Sequence, residues 1–536
     1  MNHPVEIRFM PEAETDLAAR EGRVVLLIGE RDQMPRGLPP SARKSLGRAL
    51  GSKQWRDIKP GGALDIAFPA GMAADAVQLV RLPRRADVAT ARKAGAAIGA
   101  RMGKAEVTVL CGGHPRIADL TLGIALRGYD FSTYKTSPAG EGDPAAGSDV
   151  AAEPPQSVTH GAAPDARLND ASGQPADPAA DGQAEVAPQP EKARVTVLCS
   201  DPEAAARAAQ DGAALAEGVF FTRDLINEPA NVLTTSDFAD RLLAMRELGL
   251  DVEVLDEDEL SRLGMRALLA VGQGSDSPSK VVVMRWQGGT DAAPLALVGK
   301  GVVFDTGGIS IKPAQGMEEM TMDMGGAGVV AGVMCALALR RARANVVGVV
   351  GLVENMPDAR AQRPGDIVRS MKGDMIEVVN TDAEGRMVLA DILWYAQDRF
   401  QPAAVVNLAT LTGAIIVALG HEKAGLFCND DALAGDLARA AGAEDEGIWR
   451  MPLAPAYDEL IKSRLADIKN SGGRPAGSIT AAQFLQRFIR KGTPWAHIDI
   501  AGVALPPRET TLAPKGATGW GVLTLDRLVR DRFEAG

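Results

Sequence analysis

Three short segments of the 536-residue chain combine charged side chains with glycines. The first, Val298-Gly-Lys-Gly-Val-Val-Phe-Asp-Thr-Gly-Gly-Ile-Ser-Ile-Lys-Pro313, sets Lys300, Asp305 and Lys312 among glycines that let backbone approach a ligand closely. The second, Met320-Thr-Met-Asp-Met-Gly-Gly-Ala327, holds Asp323 just ahead of a predicted helix start. The third, Val379-Asn-Thr-Asp-Ala-Glu-Gly-Arg-Met-Val-Leu-Ala-Asp391, carries Asp382, Glu384 and Arg386 at alternate positions. An extended loop would point those three side chains the same way.

Each acid has a plain structural explanation when taken alone. Asp323 could cap a helix, Asp382 could serve a turn, and Glu384 could sit in a first helical turn where the dipole favours it. Together, four acids beside glycine-rich turns repel one another unless cations stand between them. Hard oxygen ligands without Cys or His suit Mg²⁺, Mn²⁺ or Zn²⁺, and four acids point to a two-metal cluster. Two metals about 3.5–4 Å apart can share a water and lower its pKa for attack on a carbonyl or phosphoryl group. This chemistry is metal-assisted hydrolysis, and the spacing names no substrate.

Other motifs carry less. Gly272-Gln-Gly274 and Gly307-Gly308 lack the spacing of a dinucleotide fingerprint or a phosphate loop. Ser310 lacks a nucleophile-elbow context. His421 and His497 read as hydrogen-bonded structural residues, and the scattered Trp residues form no base-stacking surface.

The elements that must position these acids form an alternating pattern. From about residue 230, β-branched runs at Val281–Trp286, Leu295–Val298, Val346–Val353, Ile376–Val379 and Ala404–Leu408 read as strands. Helical stretches such as Gly328–Arg340 and Met387–Gln397 lie between several of them. The pattern predicts an α/β fold: a mixed, mainly parallel sheet flanked by helices, with ligands at the carboxyl ends of strands. Upstream, Val24–Ile28 and Val107–Leu110 are predicted strands, with a helix over Ala86–Met102. Arg194–Cys199 resumes as a strand, and a helix over Pro202–Asn227 starts with a cap and a proline. We therefore expect a small N-terminal α/β domain over 1–214 and a larger catalytic domain over 215–536.

Residues 138–193 interrupt that first domain. They contain no aromatic, Ile or Met and a single Leu, too little to offset chain entropy, so a flexible, disordered insert is expected. Ten acids against Arg167 and Lys192 give the insert −8 of the net charge of −11, leaving the rest near −3. A near-neutral folded part disfavours a general nucleic-acid binder. No apolar run reaches the roughly 18–20 residues of a spanning helix, the longest being Val329–Leu339, and the N-terminus lacks a signal-peptide layout. Four separated cysteines (Cys111, Cys199, Cys335, Cys428) exclude a zinc ribbon or disulfide framework on spacing and fit a reducing cytosol.

At these same positions the chain resembles the leucine aminopeptidase family, the cytosol aminopeptidases. Asn380-Thr-Asp-Ala-Glu-Gly-Arg-Met-Val-Leu-Ala-Asp391 resembles that family's signature. The likeness continues through Asn227-Glu-Pro-Ala-Asn231, Gly264 to Trp286, Lys300 to Pro313, Ala409-Thr-Leu-Thr-Gly-Ala414 and Trp495-Ala-His-Ile-Asp-Ile-Ala-Gly502. It covers nearly all of 215–536 and is weaker before that. Thr306 stands where the family often has Ser, and Asn407 where it often has Asp.

The resemblance implies a leucyl aminopeptidase, a dinuclear metal-dependent hydrolase releasing leucine-like residues from peptides with a free N-terminus. It implies one metal on Lys300, Asp305, Asp323 and Glu384, and another on Asp305, Asp382 and Glu384, the ions being Mn²⁺ or Zn²⁺. A lysine ligand must be neutral, which a neighbouring dication can enforce against its ordinary pKa of about 10.4; a salt bridge from Lys300 to an acid is the alternative. Lys312 and Arg386 carry over as the catalytic pair, Lys312 polarising the scissile carbonyl and Arg386 holding bicarbonate as general base. Met320, Thr410, Leu411 and Gly413 carry over as substrate-side residues. A homohexamer in the cytoplasm is implied as well. A DNA-binding architectural role, which some bacterial family members combine with peptidase activity, is the alternative and is disfavoured by the charge balance.

Overall fold

In a computed structural model of the chain, the described residues are 5–12, 16–103, 105–135 and 194–534. The expected disordered insert at 138–193 lies outside them. Ser132–Lys135, the described start of a separate unit spanning 132–191, form a turn in which the Lys135 N–H donates to Ser132 O at 3.0 Å.

The N-terminal domain is built from β1 (Glu6–Pro11), β2 (Arg23–Ile28), α1 (Pro40–Leu50), α2 (Lys53–Asp57), β3 (Ala63–Ala67) and β4 (Ala76–Arg81). It continues with α3 (Val88–Gly99), β5 (Val107–Gly112), α4 (Ile117–Arg127) and β6 (Arg194–Cys199). The six strands run in the order β1-β6-β5-β2-β4-β3, parallel except where β3 meets β4. Alternate residues of β2 and β5 face opposite sides: Val25 and Val109 pack with α3 and α4, while Val24, Leu26 and Leu110 pack with α1 and Trp55. The long helix α5 (Pro202–Asn227) has Asp201 as N-cap and Pro202 at its first position, as the sequence predicts.

Then follow α6 (Thr235–Leu243), β7 (Asp251–Leu255), α7 (Glu257–Leu263), α8 (Arg266–Gly272), β8 (Lys280–Gln287) and β9 (Leu295–Asp305). Next come α9 (Gly325–Leu339), β10 (Asn345–Asn355), β11 (Ile367–Arg369), β12 (Met375–Glu377), α10 (Gly385–Phe400) and β13 (Ala404–Ala409). The chain ends with α11 (Gly413–Leu419), β14 (Ala424–Cys428), α12 (Asp431–Glu444), β15 (Ile448–Arg450), α13 (Pro455–Asp458), β16 (Ile468–Lys469), α14 (Gly477–Gln486), β17 (Trp495–Asp499) and α15 (Val522–Leu528). Eight strands form one sheet, ordered β15-β14-β17-β13-β9-β10-β8-β7, whose centre from β17 to β10 is parallel and whose flanks include antiparallel pairs. Val282, Leu297, Val346 and Val406 face a layer of α5, α9, α12 and α15. Their strand neighbours Val281, Val298, Val347 and Val405 face α8, α10 and α14. Both faces are buried, so these strands read as continuous apolar runs. This is the α/β architecture the sequence predicts, with a small N-terminal domain and a larger catalytic one.

Two elements are longer than their apolar signals. β9 runs on past Val298 through Gly299-Lys-Gly301 to Asp305. A Cβ on Gly299 would lie 2.6 Å from Ala327 Cα, and one on Gly326 would strike Leu408 O, so glycine at both lets α9 start hard against the sheet. The apolar helical stretch extends over Met317–Leu339, begins as a 3₁₀ segment, and its most apolar 18-residue window is 94% buried inside the fold. It is a core helix by its packing.

Candidate metal and active site

The close seating of α9 on β9 brings Asp323, in the 3₁₀ segment Met317–Met324, against Lys300 in the middle of β9. Asp305 is the last residue of β9, at the carboxyl edge of the sheet. Positive φ at Gly307 (86°) and Gly308 (65°) then turns the chain back, and the Thr306 carbonyl accepts from the Lys312 N–H at 2.9 Å. Thr381 Oγ1 donates to Gly307 O at 2.7 Å, tying this turn to the loop that carries Asp382 and leads into α10 at Glu384.

Lys300 Nζ lies 2.7 Å from Asp323 Oδ1, 2.8 Å from Glu384 Oε1 and 3.1 Å from Thr410 O. Lys312 Nζ lies 2.7 Å from Asp305 Oδ2 and also pairs with Asp382 Oδ1. One carboxylate oxygen each from Asp305, Asp382 and Glu384 falls within 4.8 Å of the others. The two ammonium groups do not satisfy the cluster: Asp323 Oδ2 is buried with no hydrogen-bond partner among the described residues. Burial, followed by repulsion from Glu384 and Asp323, pushes the Asp305 carboxyl above its ordinary range. Burial likewise raises Asp323 against the pull of Lys300, and raises Asp382 against that of Lys312. Burial opposes the charge on Glu384, but Lys300 and Lys312 outweigh it and hold its pKa low. Burial also opposes the charge on Lys300, which Asp323, Glu384 and Asp305 hold above the usual lysine value. An orphaned buried oxygen beside three converging acids is a donor set for hard divalent cations, so the residues fit a metal cluster.

Every candidate named from the sequence lines one cleft of about 450 Å³: Lys300, Asp305, Lys312, Met320, Asp323, Asp382, Glu384, Arg386, Thr410, Leu411 and Gly413. The local reasons differ in places from those expected. Asp323 caps no helix; its Oδ1 accepts from Lys300 and from Thr410 Oγ1 at 2.9 Å. Asp382, Glu384 and Arg386 do not converge by extended-chain alternation, because Glu384 is already helical (φ −75°, ψ −39°) and Arg386 lies inside α10. Burial pulls the Arg386 guanidinium down to about 10, opposed by Glu384 and Asp499, and its Nε is buried without a hydrogen-bond partner among the described residues. Thr306 Oγ1 donates to Asn355 O at 2.8 Å, and Asn407 is a core residue between Trp495 and His497, so neither departure from the family pattern alters the charged cluster.

Three buried residues serve the site without having been singled out. Asn355 ends β10 beside Asp305, and its Nδ2 donates to Asp305 Oδ1 at 2.7 Å and Thr381 O at 3.1 Å. Asp499 ends β17; it accepts from the Leu411 N–H at 3.1 Å and from Thr412 Oγ1 at 2.7 Å, fixing the loop after β13. A polar residue closing an apolar strand was a usable signal for both. Asn470 lies in a connecting loop, where no local pattern marks it.

The sequence profile of the cytosol aminopeptidase family, catalytic domain, matches residues 220–526. The chain is 57% identical over 538 residues to a probable cytosol aminopeptidase of Cereibacter sphaeroides, covering all of both chains. It is 54% identical over 521 residues to one of Dinoroseobacter shibae, covering 97% of this chain and 96% of that one. Among solved structures, the bottromycin maturation enzyme BotP in complex with Mn is 31% identical, with a TM-score of 0.74 over 96% of this chain and 99% of that one. The chain belongs to the cytosol aminopeptidase family. It is therefore a hydrolase, an aminopeptidase of a metal-dependent family acting on peptides.

Proposed function

We propose that this aminopeptidase works with two divalent cations per subunit, Mn²⁺ or Zn²⁺, and prefers leucine-like N-terminal residues. The observation that carries the reading is the convergence of Asp305, Asp382 and Glu384 oxygens within 4.8 Å, next to Asp323 Oδ2, which has no partner among the described residues. Lys300, Asp305, Asp323 and Glu384 would hold one ion, and Asp305, Asp382 and Glu384 the other. Once bound, such ions supply Lewis-acid polarisation of the scissile carbonyl and a lowered pKa for water.

The chain's own groups divide the remaining tasks. Lys300 must give up its proton and its ion pairs to act as a ligand. Lys312 sits at the cluster rim as a cation able to stabilise the oxyanion that develops on the substrate. Arg386, with its Nε facing no acceptor among the described residues, is suited to hold bicarbonate, which we assign as general base. Met320 and Leu411 offer apolar walls, and Thr410 and Gly413 backbone, to the first side chain of a peptide whose free amine is read at the metals. We place the domain boundary within α5, at residue 214/215, from the alternation of strands and helices, and the enzyme in the cytoplasm as a homohexamer, as the family likeness implies.

The test is hydrolysis of leucine amide by chelated protein, then after adding Mn²⁺ or Zn²⁺, beside an N-acetylated control. Metal-dependent release that acetylation blocks is expected, and Glu384→Ala should abolish it. Hydrolysis by Glu384→Ala with normal metal content would refute the ligand assignment.

A further inference from the structure

Asn470 is fully buried in the loop between β16 and α14, and its side chain takes the place of a neighbouring strand for the loop that carries Asp382. Its Oδ1 accepts from the Val379 N–H at 2.9 Å and the Asn380 N–H at 3.3 Å. Its Nδ2 donates to Asn380 O at 2.7 Å and Ala383 O at 3.3 Å. Donors on one side and carbonyls on the other fix the amide orientation. The Asn470 backbone adds two further ties: its N–H donates to Glu377 O at 2.9 Å, and its carbonyl accepts from Arg386 Nη1 at 2.8 Å. One residue thus bonds the segment before Asp382, the turn between Asp382 and Glu384, and the Arg386 guanidinium. Arg386 Nε has no hydrogen-bond partner among the described residues, so the Nη1 contact aims the group.

We propose that Asn470 is a positioning residue for the reaction, setting Asp382 and Glu384 for metal and Arg386 for its bicarbonate through one fixed anchor point. The inference rests on the two-metal aminopeptidase reading and on Arg386 acting in it. Asparagine is required because the site needs an acceptor and a two-hydrogen donor at once. Asp presents a carboxylate to the Asn380 and Ala383 carbonyls, and Ser is too short to reach both strands of the turn. Partners that orient metal ligands in this way typically govern metal affinity or activity by about 10–100-fold.

The experiment compares Asn470→Asp and Asn470→Ser with wild type. It measures leucine amide hydrolysis, Mn²⁺ affinity by calorimetry without substrate, and the thermal midpoint. We expect both variants to fold, with kcat per folded molecule down by about 10–100-fold and KM changed far less, and Mn²⁺ bound more weakly by the Ser variant. A merely structural role would lower the thermal midpoint and the folded fraction while leaving kcat per folded molecule and Mn²⁺ affinity unchanged; that result overturns the proposal. Failure of both variants to fold overturns it too, in favour of a structural role. If wild type hydrolyses nothing, the aminopeptidase reading falls by itself, and equal Mn²⁺ affinities for wild type and Asn470→Ser would then sink the positioning role separately.

Discussion

Gly385 opens α10 one residue after Glu384 and faces the Lys300 side chain. A methyl group there would lie 2.5 Å from Lys300 Cε and 2.7 Å from both Cδ and Nζ. Two effects of Gly385→Ala then oppose each other. Helix propensity favours Ala by up to about 1 kcal/mol. Ordinary carbon contacts need about 3.5–4.0 Å, so the Lys300 side chain must retreat by about 1 Å. It has little room to do so, being 2% exposed and held by Asp323 and Glu384. Overpacking of this kind costs about 1–3 kcal/mol, so the net stability change is small and destabilising. The effect on the site is larger: displacing a positioned group by about 1 Å can cost about 10²-fold in rate, or about 2.7 kcal/mol in the barrier. We expect Gly385→Ala to keep its thermal midpoint within a few degrees while kcat falls about 100-fold and Mn²⁺ affinity weakens. Gly442→Ala is the control, since a Cβ there meets nothing within 4 Å in α12; it should hold or raise stability with full activity. Wild-type kcat and Mn²⁺ affinity in Gly385→Ala would refute the claim that Lys300 must stand where it does.

His497 is buried in β17, stacked on Phe427, and burial followed by Arg386 pulls its pKa down to about 3. Asn407 Oδ1 accepts from Trp495 Nε1, so Asn407 Nδ2 donates to His497 Nδ1, and the ring is neutral with an Nε2 that has no partner among the described residues. The folded pKa lies below the unfolded value of 6.5, so stability is full above pH 6.5 and falls by up to about 1.4 kcal/mol per pH unit as pH drops towards 3. His497→Phe should flatten that loss in denaturant titrations at pH 4–6, at a cost of about 1–3 kcal/mol at pH 8 from the abandoned Asn407 donor; an unchanged pH slope would refute it. At the α5–α9 crossing, a Cβ on Gly218 would strike Gly332 O and lie 3.0 Å from Ala336 Cβ, where Thr222 Oγ1 also donates to Gly328 O at 2.9 Å. Gly218→Ala should therefore lower unfolding stability by about 1–3 kcal/mol despite its better helix propensity, and an unchanged or higher midpoint would show that the helices can part freely.

Much of the architecture is local and so was legible in the chain. Asp201-Pro202 starts α5 where capping chemistry puts it, and the apolar runs of β6, β8, β10 and β13 fall within a residue or two of their observed bounds. The residue types needed for the site were equally visible in the three glycine-containing segments that carry Lys300, Asp323 and Asp382. What local pattern could not supply is reach. The β-branched run ends at Val298, whereas β9 continues through Gly299 and Gly301, whose missing side chains admit α9 and β10, which lie far along the chain. The alternation of Asp382, Glu384 and Arg386 suggested an extended segment, but the backbone turns helical at Glu384 once Asn470 and Thr381 have satisfied the preceding turn.

The sequence by itself determined the alternation of strands and helices, the identity of the acids and lysines, and the family. These depend on side-chain chemistry and on periods of two and 3.6 residues, which are written in consecutive positions. Tertiary structure alone decided that Lys300 stands between Asp323 and Glu384, that Asp323 is left with one unsatisfied oxygen, and that Asn355, Asn470 and Asp499 brace the loops. Those contacts join residues from 23 to 91 positions apart, and buried polar groups must find partners wherever packing brings them.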